Sequence, residues 1–177
     1  VQFVVNLSSL GAELPSGTGP IKYLHAHENR LNSLKNTHIL HLRPAYFMEN
    51  LLMNIPFIKK SSIMGGAIQG EVAFPMIATR DIAAEAAERL VRLDFQGHSV
   101  KELLGAEDVS LNQAAQAVSE LIGKQIPYIT FDGPSTKQAL IGLGLSSDVA
   151  DQFVEMSDAF NTGKISGKGR RNNANST

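Results

Sequence analysis

Two apolar runs near the start of the chain end abruptly in small or polar residues. Residues 1–7 are almost continuously apolar and stop at Ser8-Ser9, and residues 37–42 form a second run that stops at Arg43-Pro44. A loop rich in Gly and a helical pattern from Pro20 to about Lys35 separate the two runs. This order and spacing of elements is typical of a strand–helix–strand crossover, which places two parallel strands side by side. Ligands of open α/β sheets bind at the carboxyl ends of such strands.

The remainder of the chain predicts a mixture of short elements. The pattern indicates one or two short helices over 47–60, a flexible Gly-rich stretch over 61–70, a short strand over 72–78 and a helix over 80–93. It further predicts helices over 111–122, 135–143 and 147–161, with a strand over 127–131. Ser110 is placed to cap the first of these helices and Gly123 to end it. The last residues are Gly, Ser, Asn and basic side chains, so we predict a mobile tail over 164–177.

Composition and charge narrow the class of protein. The chain has 177 residues, a net charge of −1, 43% hydrophobic and 19% charged residues. This balance does not indicate a nucleic-acid partner or an anionic membrane partner. With no Cys, disulfides, thiolate nucleophiles and Cys-ligated metals are excluded, and an intracellular, cytoplasmic protein is expected. Because the first residue already lies in a strand-like run, we interpret the N-terminus as a cut in a longer chain.

The predicted first helix carries polar groups on its apolar side. Residues on a helix advance by about 100° each, so His25 and Glu28 share the side of Ile21 and Leu24. A carboxylate in an apolar stripe needs a partner. Glu28 therefore either bonds a backbone end or His25 and holds the helix, or lines a cofactor pocket with His25. No metal site is expected here, since His25 and His27 diverge on a helix.

Several motifs, taken in order, carry a resemblance to a known family. They are Ser8-Ser-Leu-Gly-Ala, Gly17-Thr-Gly-Pro-Ile, His25 with Glu28, Leu42-Arg-Pro, Phe47-Met-Glu-Asn, Pro75-Met-Ile-Ala-Thr-Arg-Asp-Ile-Ala-Ala, Glu102-Leu-Leu-Gly, and Arg171 with Asn175-Ser-Thr. Their order and spacing resemble the NmrA-like family of NAD(P)-binding, atypical short-chain dehydrogenase/reductase proteins. The resemblance covers nearly the whole chain.

The resemblance implies an α/β fold: the C-terminal part of a Rossmann-like parallel sheet plus a small, mostly helical substrate lobe. Such proteins begin with a strand, a Gly-rich turn and a helix that hold the pyrophosphate. The Gly-rich stretches at 65–70 and 142–147 do not match this unit, because no strand precedes them. The expected divisions are 1–54 for the NAD(P)-binding part, 55–163 for the substrate lobe with interleaved Rossmann elements, and 164–177 for the tail.

The resemblance also implies site residues. The nicotinamide would be contacted by Ser8, Ser9, His25, Pro44, Ala45, Tyr46 and Phe47, and the substrate by Phe47 and Asn50. His25 is the candidate catalytic residue, as a ribose contact or weak proton donor. For Ser8-Ser9 a strand-terminal hydroxyl turn, and for Tyr46-Phe47 ordinary core packing, remain alternatives. Arg171 in the tail could reach an anionic group.

One departure from the pattern bears on activity. Active short-chain dehydrogenases use Tyr-x-x-x-Lys on the crossover helix, with Tyr as the proton donor. His25 and Asn29 stand at the corresponding positions. The missing Tyr and Lys put ordinary carbonyl reduction in doubt. They leave open cofactor binding, and hydride transfer to an acceptor that needs little acid catalysis.

Three functions follow as hypotheses. The first is an NAD(P)(H)-dependent reductase of quinones or similar small electrophiles, with NADP favoured over NAD by resemblance. The second is a non-catalytic NADP(H)-sensing regulator that acts through a protein partner. The third is an inactive, truncated remnant, whose open sheet edge favours a homo-oligomer or association with a missing N-terminal half.

Overall fold

The crossover predicted near the start of the chain is present in the computed structural model, which describes residues 1–176. The strands are β1 (Phe3–Leu7), β2 (His38–Pro44), β3 (Tyr46–Phe47), β4 (Met64–Gly66), β5 (Ala73–Ile77), β6 (His98–Leu103), β7 (Asp108–Ser110) and β8 (Tyr128–Thr130). The α-helices are α1 (Ile21–Asn32), α2 (Ile55–Ser61), α3 (Thr79–Arg92), α4 (Leu111–Ile122), α5 (Gly133–Gly142) and α6 (Ser147–Asn161), and a 3₁₀ helix covers Met48–Asn54. The chain is therefore an α/β protein, as its pattern predicts.

The main sheet has three parallel strands in the order β1-β2-β6. Val5 pairs with Leu40, and Leu40 pairs in turn with Ser99. Strand β2 is central and nearly all apolar or buried, as expected of a parallel strand covered on both faces. Side chains alternate across it, so His41 and Arg43 face α1 while Leu42 faces α3. The carboxyl ends of β1 and β2 consequently meet at one edge of the sheet.

Two smaller sheets continue the fold. β5 pairs in parallel with β3 and antiparallel with β7, and β4 pairs in parallel with β8. Tyr46 in β3, Phe74 in β5 and Phe160 in α6 pack together, with ring centroids 5.1 to 6.3 Å apart. This aromatic cluster joins the sheet of β3, β5 and β7 to α6.

The ends of α4 show why the helical predictions succeed. Ser110 accepts a hydrogen bond from the backbone of Gln113, and the Gln113 side chain accepts from the Ser110 backbone in return. Such a capping box satisfies two otherwise free amides. Gly123 ends the helix with φ of 71°, a left-handed conformation that glycine adopts without strain.

The C-terminal segment differs from its prediction. Residues 164–176 were expected to be a mobile tail, yet Ile165 is buried and the Leu104 amide donates to the Asn175 carbonyl at 2.8 Å. Arg171 donates to Asp108 at 2.5 Å and to the Gly105 carbonyl. The burial of Ile165 and the hydrogen bonds of Arg171 and Asn175 together bind this segment to the rest of the fold, which composition alone does not reveal. Arg171 is engaged internally.

Four strands, β3, β4, β6 and β7, were not predicted from the sequence. β6 was not predicted, because half of its six residues are ionisable and it lies at a sheet edge. β4 lies inside the Gly-rich stretch expected to be flexible, where Phe131 would meet a Cβ on Gly65 at 2.4 Å. Glycine is needed there for close packing. Within the described residues, no helix is long and apolar enough to cross a membrane.

Candidate functional site

A small pocket lies where β1 and β2 end. Its volume is about 160 Å³, and it is partly open to solvent. Five of the eight residues implied by the resemblance line it: Ser9, Ala45, Tyr46, Phe47 and Asn50. They come from the turn after β1, from the residues after β2 and from the 3₁₀ helix. The crossover topology brings them together, because it places the ends of both strands at one edge.

The other walls of the pocket were not predicted from sequence. Leu10 and Ile21 close one side, and Met156 and Phe160 of α6 close the other. A buried glycine, Gly19, lets α6 approach: a Cβ there would lie 2.0 Å from the Gln152 carbonyl oxygen. Apolar residues on one side of α6 were a signal that the helix is packed, but not a signal of what it packs against.

Tyr46 brings a phenol to the wall of the pocket. Its ring meets Phe74 and Phe160 edge to face, at centroid distances of 5.2 and 6.3 Å. Burial raises the pKa of the Tyr46 phenol above its ordinary value. No residue among those described hydrogen-bonds to its hydroxyl. The phenol is therefore a neutral donor without a protein acceptor.

Ser9 and Asn50 supply the remaining polar side chains of the pocket. The Ser9 hydroxyl donates to the Leu10 carbonyl at 3.0 Å. The Asn50 amide has no hydrogen-bond partner in the part of the chain that the structure describes. An apolar cavity with a few free polar groups is typical of a small-molecule site.

Ser8 and Glu28 lie outside the pocket. Glu28 forms a buried ion pair with Arg43, and Ser8 donates a hydrogen bond to the same carboxylate. Ser8 donates to Glu28 Oε1 at 2.5 Å, and the Arg43 guanidinium donates to the same carboxylate through two nitrogens. Of the two alternatives for Glu28, the first is right that the carboxylate holds the helix but wrong about its partners, which are Arg43 and Ser8 rather than a backbone end or His25. Glu28 does not line this pocket with His25, as the second alternative expects. The sequence did carry the signal: Arg43 lies near the end of β2, on the face that packs against α1.

The electrostatics of this pair are set by opposing effects. Burial raises the pKa of Glu28, but hydrogen bonds from Arg43 and Ser8 and the charge of Arg43 lower that pKa by more, so it lies below its ordinary value. Hydrogen bonding to Glu28 correspondingly raises the pKa of Arg43. Both groups are ionised, and they fix the position of α1 beside the end of β1.

His25 and Pro44 do not line the pocket. His25 Nδ1 lies 2.8 Å from the Ala12 carbonyl oxygen, and its Nε2 lies 3.0 Å from the Asn29 amide nitrogen. A carbonyl can only accept, so Nδ1 carries the proton and Nε2 accepts from Asn29. Pro44 is buried and its carbonyl accepts from the Leu10 amide at 2.9 Å. A catalytic role for His25 and a cofactor contact at Pro44 stay predictions.

Comparisons with known proteins agree with this geometry. No family model matches the chain. Festuclavine dehydrogenase of Aspergillus fumigatus is 30% identical over 148 residues, which are 82% of this chain and 50% of that protein. The chain spans about half the length of the curated relatives it matches.

Solved structures share the fold. The NADPH-dependent quinone oxidoreductase QOR2 of Escherichia coli, complexed with NADPH, matches with a TM-score of 0.79 and 23% identity, over 96% of this chain and 59% of that one. NmrA, a negative transcriptional regulator in complex with NAD, matches with a TM-score of 0.59 and 14% identity, over 93% of this chain and 52% of that one. Together these similarities confirm the resemblance to the NmrA-like, atypical short-chain dehydrogenase/reductase proteins that the sequence motifs indicate.

Proposed function

We propose that this chain forms the acceptor-binding part of an NAD(P)H-dependent reductase that acts on quinones or similar small electrophiles. The observation that carries the proposal is the meeting of Ser9, Ala45, Tyr46, Phe47 and Asn50 in one pocket, although they come from three separate elements. The relatives support the class of reaction, since they include a quinone oxidoreductase of Escherichia coli and an NAD(P)H azoreductase of Xenophilus azovorans.

The shape of the pocket fits a planar ring. The pocket has about 160 Å³ and one open side, so it can take the edge of a planar ring whose remaining part and substituents extend outside. Aromatic side chains wall it, with free polar groups at Tyr46 and Asn50. A ring with one or two oxygen acceptors meets both requirements, whereas a strongly charged ligand does not.

The residues nearest the strand ends would hold the nicotinamide. Ser9 and Ala45 stand at neighbouring strand ends, and Tyr46 and Phe47 continue from Ala45. When bound, the reduced nicotinamide supplies the hydride, and the chain's own contribution is placement and exclusion of water. NADP is favoured over NAD because the quinone oxidoreductase structure that matches holds NADPH.

Calorimetric titration of NADPH into the chain tests cofactor binding, and oxidation of NADPH by duroquinone tests turnover. We expect saturable micromolar binding, and turnover that falls in Asn50→Ala through weaker acceptor binding. The matched control is Asn173→Ala, an exposed Asn far along the chain from the pocket residues. Absence of turnover together with absence of duroquinone binding to the chain would contradict the proposal.

A second candidate is a sensor that binds the cofactor without turning it over. It is favoured by His25 and Asn29, which stand where the Tyr and Lys of active enzymes are expected and are hydrogen-bonded to each other. The fold similarity to the regulator NmrA is compatible with it. NADPH binding without oxidation by duroquinone would support the sensor and exclude the reductase.

A further inference from the structure

The pocket holds one phenol whose hydroxyl is not used by the fold. Tyr128 shows the usual arrangement of a buried tyrosine, because its hydroxyl donates to the Ile68 carbonyl at 2.8 Å. Tyr46 has no such acceptor among the described residues. A tyrosine hydroxyl that the protein itself does not bind is free to donate to a ligand.

The Tyr46 hydroxyl is held in place and remains reachable. Phe74 and Phe160 meet its ring edge to face and fix the ring plane. In the described part of the chain, two side-chain oxygens are both fully buried and without a hydrogen-bond partner, those of Thr18 and Thr136. The Tyr46 oxygen also has no partner there but is not among them, so it is accessible from outside the protein. The ring is therefore held in place, so binding of a ligand by its hydroxyl costs little conformational freedom.

The other candidate donor has no free proton. His25 commits its Nδ1 hydrogen to the Ala12 carbonyl, while its Nε2 accepts from Asn29. It also does not line the pocket. Ser9 commits its hydroxyl to the Leu10 carbonyl.

We propose that Tyr46 is a catalytic residue that donates a hydrogen bond to the oxygen of the acceptor ring. This inference rests on the proposed reductase function and names the group that takes over from the absent Tyr-x-x-x-Lys pair. A quinone becomes a hydroquinone by taking up one hydride, as nicotinamide is oxidised, and one proton. Negative charge develops on the acceptor oxygen, and the Tyr46 hydroxyl stabilises it there.

The phenol stabilises this charge without giving up its own proton. Because burial raises its pKa, Tyr46 stays neutral throughout, and the proton that completes the product comes from water at the open side of the pocket. The hydroxyl acts as an oxyanion-hole donor does.

Binding of a quinone and of its oxygen-free counterpart isolates the hydroxyl. We would titrate duroquinone and durene into wild type and Tyr46→Phe without cofactor, and record the infrared carbonyl stretch of bound duroquinone. Loss of one neutral hydrogen bond weakens duroquinone binding about two- to tenfold, while durene binding is unchanged. The carbonyl stretch moves to higher wavenumber. With NADPH, kcat falls about ten- to hundredfold.

Tyr23→Phe is the matched control. Its exposed hydroxyl accepts from Gln152 and lies outside the pocket lining, so duroquinone binding and the carbonyl stretch stay as in wild type. If Tyr46→Phe binds duroquinone like wild type with the same carbonyl stretch, the role of Tyr46 is overturned while the pocket stands. If wild type binds neither ring, both this role and the proposed function are overturned.

Discussion

The guanidinium of Arg43 donates to both carboxylate oxygens of Glu28, from Nε at 2.9 Å and from Nη2 at 2.5 Å. The side chains are only 13% and 6% exposed. A bidentate pair of this kind is geometrically specific as well as strong. It connects α1 to β2 directly beneath the turn that begins the pocket wall.

Replacing Arg43 by Met should strongly destabilise the fold. The Glu28 carboxylate would be left buried without its partner, which costs about 3–5 kcal/mol of unfolding free energy. Chemical denaturation measures the loss. The control is Arg92→Met: Arg92 pairs with Glu88 on the surface of α3, with the Arg side chain 60% exposed, so removal costs at most about 0.5 kcal/mol. Equal losses in both variants would contradict the burial argument.

His41 should make stability depend on pH near neutrality. Burial lowers its pKa, and the neutral ring is held between Asn6 at Nδ1 and Asn32 at Nε2, each at 3.0 Å. Below a pKa of about 6.5 the unfolded chain binds a proton that the folded chain resists, so unfolding free energy falls as pH falls through this range.

The test compares two histidine variants. His41→Gln keeps a donor and an acceptor but cannot titrate, so its unfolding free energy should change less between neutral pH and pH values near the bottom of this range. His27→Gln, at an exposed position, should follow wild type. A wild-type slope in His41→Gln would show that another group is responsible.

We expect Ser8 to matter mainly for stability and Ser9 mainly for cofactor binding. Ser8→Ala removes a hydrogen bond to the buried Glu28 carboxylate and should cost about 1.5–3 kcal/mol of stability. Ser9 is bonded only to the adjacent Leu10 carbonyl, so Ser9→Ala should cost at most about 0.5 kcal/mol. In titrations of NADPH into the folded variants, we expect the opposite order: Ser9→Ala should weaken NADPH binding more than Ser8→Ala does.

Gly105 should tolerate no side chain. Its φ is +68°, and a Cβ would lie 1.9 Å from the Met76 carbonyl oxygen, which is backbone and cannot move aside. The left-handed conformation alone costs about 1–2 kcal/mol for other residues, and the clash adds to it. Gly123→Ala is the control, since its φ is +71° with nothing within 4 Å. Thermal denaturation should show a clearly larger loss for Gly105→Ala.

Sequence patterns predicted elements whose period or caps are strong. The first two strands, α3 and α4 were found because their apolar positions repeat and because Ser110 and Gly123 mark the ends of α4. β6 was not, since its sequence His-Ser-Val-Lys-Glu-Leu has neither a continuous apolar run nor a regular alternation of apolar and polar residues. β7 was not predicted either, because its three residues, Asp-Val-Ser, contain a single apolar side chain.

The sequence predicted the part of the pocket that is formed by residues at or just after the ends of β1 and β2. Ser9 and Ala45 lie there by topology, and Tyr46, Phe47 and Asn50 follow along the chain. Met156 and Phe160 belong to a helix more than a hundred residues away, and only tertiary packing brings them in. The homo-oligomer and the domain boundaries stay predictions.

The Glu28–Arg43 pair is also one end of a longer series of charges. Arg43 contacts Glu13 at 3.3 Å, Glu13 contacts Arg170 at 3.0 Å, and Arg170 contacts Glu102. Exposure rises from 6% at Glu28 to 37% at Arg170. Dissolved ions screen exposed charges far more than buried ones. Rising ionic strength should therefore loosen the C-terminal segment first, while the wall of the pocket beside α1 keeps its position.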